Sequence, residues 1–344
     1  MTRTRLVWFI VALVVAVANG AALGQPLPKP MDGPLPAGAL ASLPATFSPA
    51  MFSPDGKYFL AGSATEHHEY CLWDVATRKL VRTFTAPKKA STLVFGAFYS
   101  FNAAAFSADG KVLATGSDAL RIWDVDTGKE IRAWHHSIDG VGAVALSPDG
   151  KTLMSMPGRR DRAVRVWDTQ TGKQRHEFPT QKNTIACLSP SGKQVAIVGE
   201  RLEVIVWDAE SGERAYRFPL ARYSNATRVS FHPDGKSIIV VNMVDVDRGG
   251  IRRYEAATGK DLGVVVEQAD IRGIGFTNDF SVVATMTYAD PIVRFWDVAT
   301  GKVKGKVTAG DNQLGAIALS PDGKVLATQI QVPGTPFLLW KAPD

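Results

Sequence analysis

Apolar and polar residues alternate along the chain in short runs, each ending on an aromatic side chain: Trp73, Trp123, Trp167, Trp207, Tyr254, Trp296 and Trp340. One residue before these stand Leu72, Ile122, Val166, Val206, Arg253, Phe295 and Leu339, and three before stand Tyr70, Leu120, Val164, Val204, Ile251, Val293 and Phe337. Between them lie Cys71, Arg121, Arg165, Ile205, Arg252, Arg294 and Leu338, so most copies alternate with period two. That period predicts half-buried β-strands.

Each run follows a turn signal. Ser53-Pro54-Asp55-Gly56 recurs as Ser107-Ala108-Asp109-Gly110, Ser147-Pro148-Asp149-Gly150, Ser189-Pro190-Ser191-Gly192, His232-Pro233-Asp234-Gly235, Thr277-Asn278-Asp279-Phe280 and Ser320-Pro321-Asp322-Gly323. Pro presets φ for the second position of a type I turn, Asp suits the third, and Gly accepts positive φ after it. The last residues of these seven elements are spaced 54, 40, 42, 43, 45 and 43 apart, the period of a four-stranded propeller blade. A second turn follows the aromatic, as in Asp126-Thr127-Gly128-Lys129 and Ala299-Thr300-Gly301-Lys302.

With these elements in phase, the chain from Ala45 to Trp340 resembles a WD-repeat β-propeller. The resemblance implies an all-β fold, a seven-bladed β-propeller of four-stranded antiparallel blades around a central channel, with Trp73, Trp123, Trp167, Trp207, Trp296 and Trp340 packed between sheets. The Gly-His pair that usually opens each repeat of that family is nearly absent. The family's hydrogen-bonded His, Ser, Asp and Trp set is expected only in the third blade, through His136, Asp161 and Trp167. Asp290 has the same offset from Trp296 but no preceding histidine, so most blades are expected to be held by packing alone.

The last blade has three strands before the chain runs out, and an unpaired edge invites aggregation. Gly38–Leu43 (GALASL) is placed to supply the fourth and close the ring.

Ahead of it, residues 25–37 carry five prolines in a stretch without apolar period, which reads as an extended linker. Residues 1–24 read as a signal peptide, with Arg3 and Arg5 before the uncharged run from Leu6 to Ala18 and small residues before a cut ahead of Gln25. This predicts export, to a periplasmic or extracellular location, with an uncleaved anchor over Leu6 to Leu23 as the alternative. Composition agrees with a globular domain: the 344 residues are 45% hydrophobic and 21% charged, with mean hydropathy −0.02. The net charge of +6 leans towards an anionic partner without naming one. The two cysteines, Cys71 and Cys187, fall on opposite sides of the ring and are expected to be free thiols.

In such a ring the turns above share one face. The opposite face carries the irregular connections, and binding residues concentrate on loops held by a rigid scaffold. Pooling those loops gathers a basic and aromatic set: Lys88, Lys89, Arg159, Arg160, Arg162, Arg222, Tyr223, Arg248 and Tyr288. Arg and Tyr favour interfaces, whereas Asp161, Asp245, Asp247 and Asp290 would partly neutralise the group. A solvated polar rim is the competing reading. His67-His68 sits in a loop without a third-ligand motif and is assigned to solvent, so no metal site is expected. No nucleophile elbow, phosphate loop or zinc signature is present, and no cofactor or specific nucleic acid is implied. The expectation is a monomeric, exported, non-catalytic scaffold for a protein or an acidic peptide or polymer. A propeller enzyme with a funnel site, lactonase-like or quinone-dependent, is the alternative.

Overall fold

The computed structural model describes residues 35–44, 47–62, 69–87, 104–117, 119–136, 140–157, 161–181, 184–199, 203–220, 225–243, 249–287, 290–310, 313–330 and 335–343. They form seven sheets of four antiparallel strands. Blades one to six occupy 47–85, 104–134, 141–179, 185–219, 225–267 and 273–308, each running from its innermost to its outermost strand. The seventh combines 314–341 with an outer strand from the other end of the chain, Ala39–Leu43. That strand pairs with Phe337–Lys341 in the register Ala41↔Leu339 and Leu43↔Phe337, closing the ring as the sequence predicts. Closure is apolar as well as hydrogen-bonded, because Leu43, Phe59, Trp73 and Phe337 lie in one buried cluster between blades one and seven.

The local chemistry of the first turn explains why each blade starts as it does. Tyr58 N donates to Ser53 Oγ at 2.9 Å and Lys57 N to Asp55 Oδ1 at 3.0 Å, so two side chains satisfy the amides leaving the turn. Gly56 N donates to Ser53 O at 2.8 Å, with Gly56 at φ 72°. Blade six achieves the same turn with Phe280 at φ 59°, and the ring compensates by stacking on Phe276 at a centroid distance of 4.3 Å. In the second turn the Asp after the aromatic is the organiser, as where Thr127 N donates to Asp124 Oδ1 at 2.7 Å.

Neighbouring blades are also joined by polar contacts. On the outer strands Arg82 donates to Asp126 O of the next blade, Arg132 Nη1 to Thr171 O at 3.5 Å, and His176 Nε2 lies 2.7 Å from Glu210 O. On the turn face Ala108 N donates to Pro148 O at 3.0 Å and Asn278 N to Pro321 O at 2.9 Å. Asn278 Nδ2 reaches past blade seven to Pro54 O of blade one at 3.1 Å, so these turns converge on the ring axis.

Candidate functional site

The turn face is regular from blade to blade, which leaves the opposite, loop face as the variable surface of the ring. Of the nine basic and aromatic residues predicted there, Lys88, Lys89, Arg159, Arg160, Arg222, Tyr223, Arg248 and Tyr288 lie outside the described residues, as do His67, His68 and the segment 1–34. Arg162 is described and stands exposed immediately before the third strand of blade three, Ala163–Asp168.

Its neighbour Asp161 is the more informative residue. Arg165 Nη1 and Nη2 donate to the two Asp161 oxygens at 2.5 and 3.2 Å, while Arg165 Nε reaches Glu177 Oε2 at 3.0 Å. The same geometry recurs in blade six, where Arg294 Nη1 and Nη2 meet the Asp290 oxygens at 3.1 and 2.5 Å. Arg294 holds the Asp290 carboxyl below the usual range, burial opposing it. Two of the four carboxylates expected to neutralise the loop face are therefore engaged by strand arginines four residues on.

This arrangement corrects the hydrogen-bonded set expected in blade three. Trp167 Nε1 does donate to Ser155 Oγ, at 2.7 Å. His136 is buried with its ring 6.1 Å from the Trp167 indole, but neither of its ring nitrogens makes a hydrogen bond of ordinary geometry. Burial pushes its imidazole down to about 4, helped by the Arg165 charge and opposed by Asp161 and the Gly140 backbone. The physical reason is competition: a bidentate guanidinium four residues away outbids a neutral imidazole for the Asp161 carboxylate.

A second correction concerns the other blades, which are not held by packing alone. Trp123 Nε1 donates to Thr115 Oγ1 at 2.8 Å, Trp296 Nε1 to Thr285 Oγ1 at 2.8 Å and Trp340 Nε1 to Thr328 Oγ1 at 2.7 Å. The acceptor sits diagonally across the strand pair, two positions beyond the residue opposite the indole. The sequence signal was a Ser or Thr eight residues after the Ser or Thr that opens the turn, at 115, 155, 285 and 328.

The comparisons with known proteins meet this geometry. Residues 128–168 match the family model described as WD domain, G-beta repeat. That stretch holds the outer strand of blade two and three strands of blade three, ending on the Trp167-Asp168 pair. The chain is a seven-bladed β-propeller that carries a WD repeat at residues 128–168. Among solved structures, the propeller is similar to the β-propeller domain of Cps50 (Swd1) from Myceliophteria thermophila, with a TM-score of 0.71 and 16% identity over 88% of this chain and 99% of that one. It is also similar to hydrazine synthase from Kuenenia stuttgartiensis, with a TM-score of 0.64 and 18% identity over 88% of this chain and 97% of that one. At these identities the likeness is one of fold. No curated protein matches the propeller's sequence.

WD-repeat propellers commonly mediate protein interactions, and at that level the fold supports an interaction scaffold. Among the described residues no helix is long and apolar enough to cross a membrane, and no three His, Cys, Asp or Glu side chains are grouped to hold a metal ion. Cys71 and Cys187 are free thiols, in blades one and four. Most of the carboxyls held below their usual range belong to the turns. Asp168, for example, is lowered to about 2 first by its hydrogen bond from Arg175 and then by the Thr171 amide.

Proposed function

We propose that this propeller is an exported, non-catalytic scaffold whose loop face receives an acidic segment of a partner. The observation that carries the reading is the pairing of Asp161 with Arg165 and of Asp290 with Arg294. Both carboxylates stand beside predicted loop-face residues, and both are already matched by strand cations. The sequence places three further positive charges beside Asp161, at Arg159, Arg160 and Arg162, and these are the groups offered to the ligand. Arg is suited to that task because its planar fork meets a carboxylate in two parallel hydrogen bonds. Exposed pairs contribute only about 0 to 1 kcal/mol each, so affinity has to come from several of them with apolar anchors such as Tyr223 and Tyr288.

The test is a triple Arg159→Ala, Arg160→Ala and Arg162→Ala variant. Its melting temperature should match the parent, while capture of an acidic partner weakens and loses part of its salt dependence. Equal capture by parent and variant would move the binding surface elsewhere. Export is tested on the same material by N-terminal sequencing of protein recovered from the cell envelope, where a mature chain starting at Gln25 is expected.

A further inference from the structure

Arg228 lies on the innermost strand of blade five, Asn225–Phe231, about midway between the two faces of the ring. Its cross-strand neighbour is Val241, which belongs to an apolar cluster with Ile239, Ile271 and Ile274 between blades five and six. Val229 and Phe231, the next residues in alternation, are buried in the cluster shared with blade four. Successive side chains on a strand point to opposite faces. Arg228 therefore projects from the blade-six side of the innermost strand, next to the axis, with its stem against Val241.

The other arginines buried or half-buried on strands have defined partners: Arg121 pairs with Glu130, Arg165 with Asp161 and Glu177, Arg252 with Asp261 and Arg294 with Asp290. Arg228 is half-buried as well, yet among the described residues its guanidinium makes no ion pair or hydrogen bond. Burial alone pushes it below the ordinary arginine range. At the matching inner-strand position, four residues before each turn, blades three, four, six and seven carry Ala143, Ile185, Gly273 and Ala316. The ring thus places one charge where the matching positions of those four blades are uncharged. On the turn face Asn278 Nδ2 bonds Pro54 O across blade seven, whereas the loop face carries the variable connections from which a ligand would approach.

We propose that Arg228 is the receptor for a single carboxylate, an acidic side chain of the peptide that enters from the loop face. A half-buried cation without a counter-charge is unfavourable, and a carboxylate in two-pronged contact removes that imbalance. The site favours a monoanion. One guanidinium, cross-strand from Val241 of the apolar cluster, leaves the second charge of a phosphate without a partner. This site deepens the loop-face reading and rests on it.

The experiment titrates a fluorescein-labelled octaglutamate peptide, read by anisotropy, against the full chain, Arg228→Met, Arg228→Lys and the loop triple variant. Arg228→Met should bind at least about tenfold more weakly, about 1.4 kcal/mol, with an unchanged or higher melting temperature because an unpaired charge has been removed. Arg228→Lys, which keeps the charge but not the fork, should fall between. Should Met at this position disturb folding, Arg228→Gln supplies the same comparison. Wild-type affinity in the folded Arg228 variants with loss in the loop triple would overturn this site and leave the loop-face reading standing. Wild-type affinity in all variants, or no binding by the parent, would overturn both. At equal ionic strength acetate should displace the peptide at lower concentration than inorganic phosphate, and the reverse order would refute the carboxylate assignment.

Discussion

In blade one the indole Nε1 of Trp73 is buried without a hydrogen-bond partner, and the residue two positions beyond its cross-strand neighbour is Ala61. The same place holds Thr115, Ser155, Thr285 and Thr328 in the four blades whose tryptophan is satisfied. A buried donor left unmade is unfavourable by about 1 to 3 kcal/mol. Ala61→Ser should therefore raise stability by about 1 kcal/mol, which for a domain of this size is a rise of a few degrees in melting temperature. Ala61→Val, which adds bulk without an acceptor, is the control and should lower it, Ala61 being fully buried.

Arg78 sits at φ 62° in the second turn of blade one, where the equivalents Gly128, Gly172, Gly212, Gly259 and Gly301 are all glycine. A side chain in this region is strained by about 1 to 2 kcal/mol, offset in part by the extra freedom glycine brings to the unfolded chain. Arg78→Gly should stabilise by about 0.5 to 1 kcal/mol in chemical denaturation. Phe280→Gly relieves the same kind of strain but empties a buried, stacked ring site, and should destabilise by about 2 kcal/mol.

His136 makes stability depend on pH in a defined window. Its pKa is about 4 in the fold against an ordinary 6.5, so between those values the unfolded chain binds more protons and folding weakens as pH falls. The full effect is up to about 3 kcal/mol at 1.36 kcal/mol per unit. The melting temperature of the parent should decline from pH 6.5 to 4 more steeply than that of His136→Phe. Equal slopes would assign the acid sensitivity to other groups. The lowered carboxylates Asp168 and Asp279, at about 2, contribute stability that is lost only at more acid pH.

Burial pushes the Cys71 thiol up to about 11 and the Cys187 thiol up to about 12. Both should stay protonated at pH 8 and react with a thiol reagent far more slowly in the folded protein than in denaturant. Fast labelling of the native chain at two equivalents would contradict this placement.

Where backbone turns decide the outcome, the sequence was a sufficient guide. The seven Ser-Pro-Asp-Gly-like elements place every blade, and the short GALASL run was recognisable as the closing strand because the last blade lacked one. Side-chain pairing was less legible. Asp161 has the spacing of a histidine partner, yet Arg165 on the same strand competes for it, and one-dimensional spacing carries no measure of that competition. Arg228 is illegible in the sequence for a related reason: a polar residue in an inner strand alternates like any other, and its isolation is visible only once blades five and six stand side by side.

The pairing of Ala39–Leu43 with Phe337–Lys341 joins segments separated by nearly the whole chain. Contacts of such separation form late, because the entropy of closing the intervening loop has to be overcome first. The strand made earliest therefore waits for the strand made last. A translation product cut short before Phe337 keeps six complete blades but an open seam, with the apolar Leu43, Phe59 and Trp73 uncovered. The ring thus tests its own completeness, since an unfinished copy exposes the surface that proteases and chaperones read.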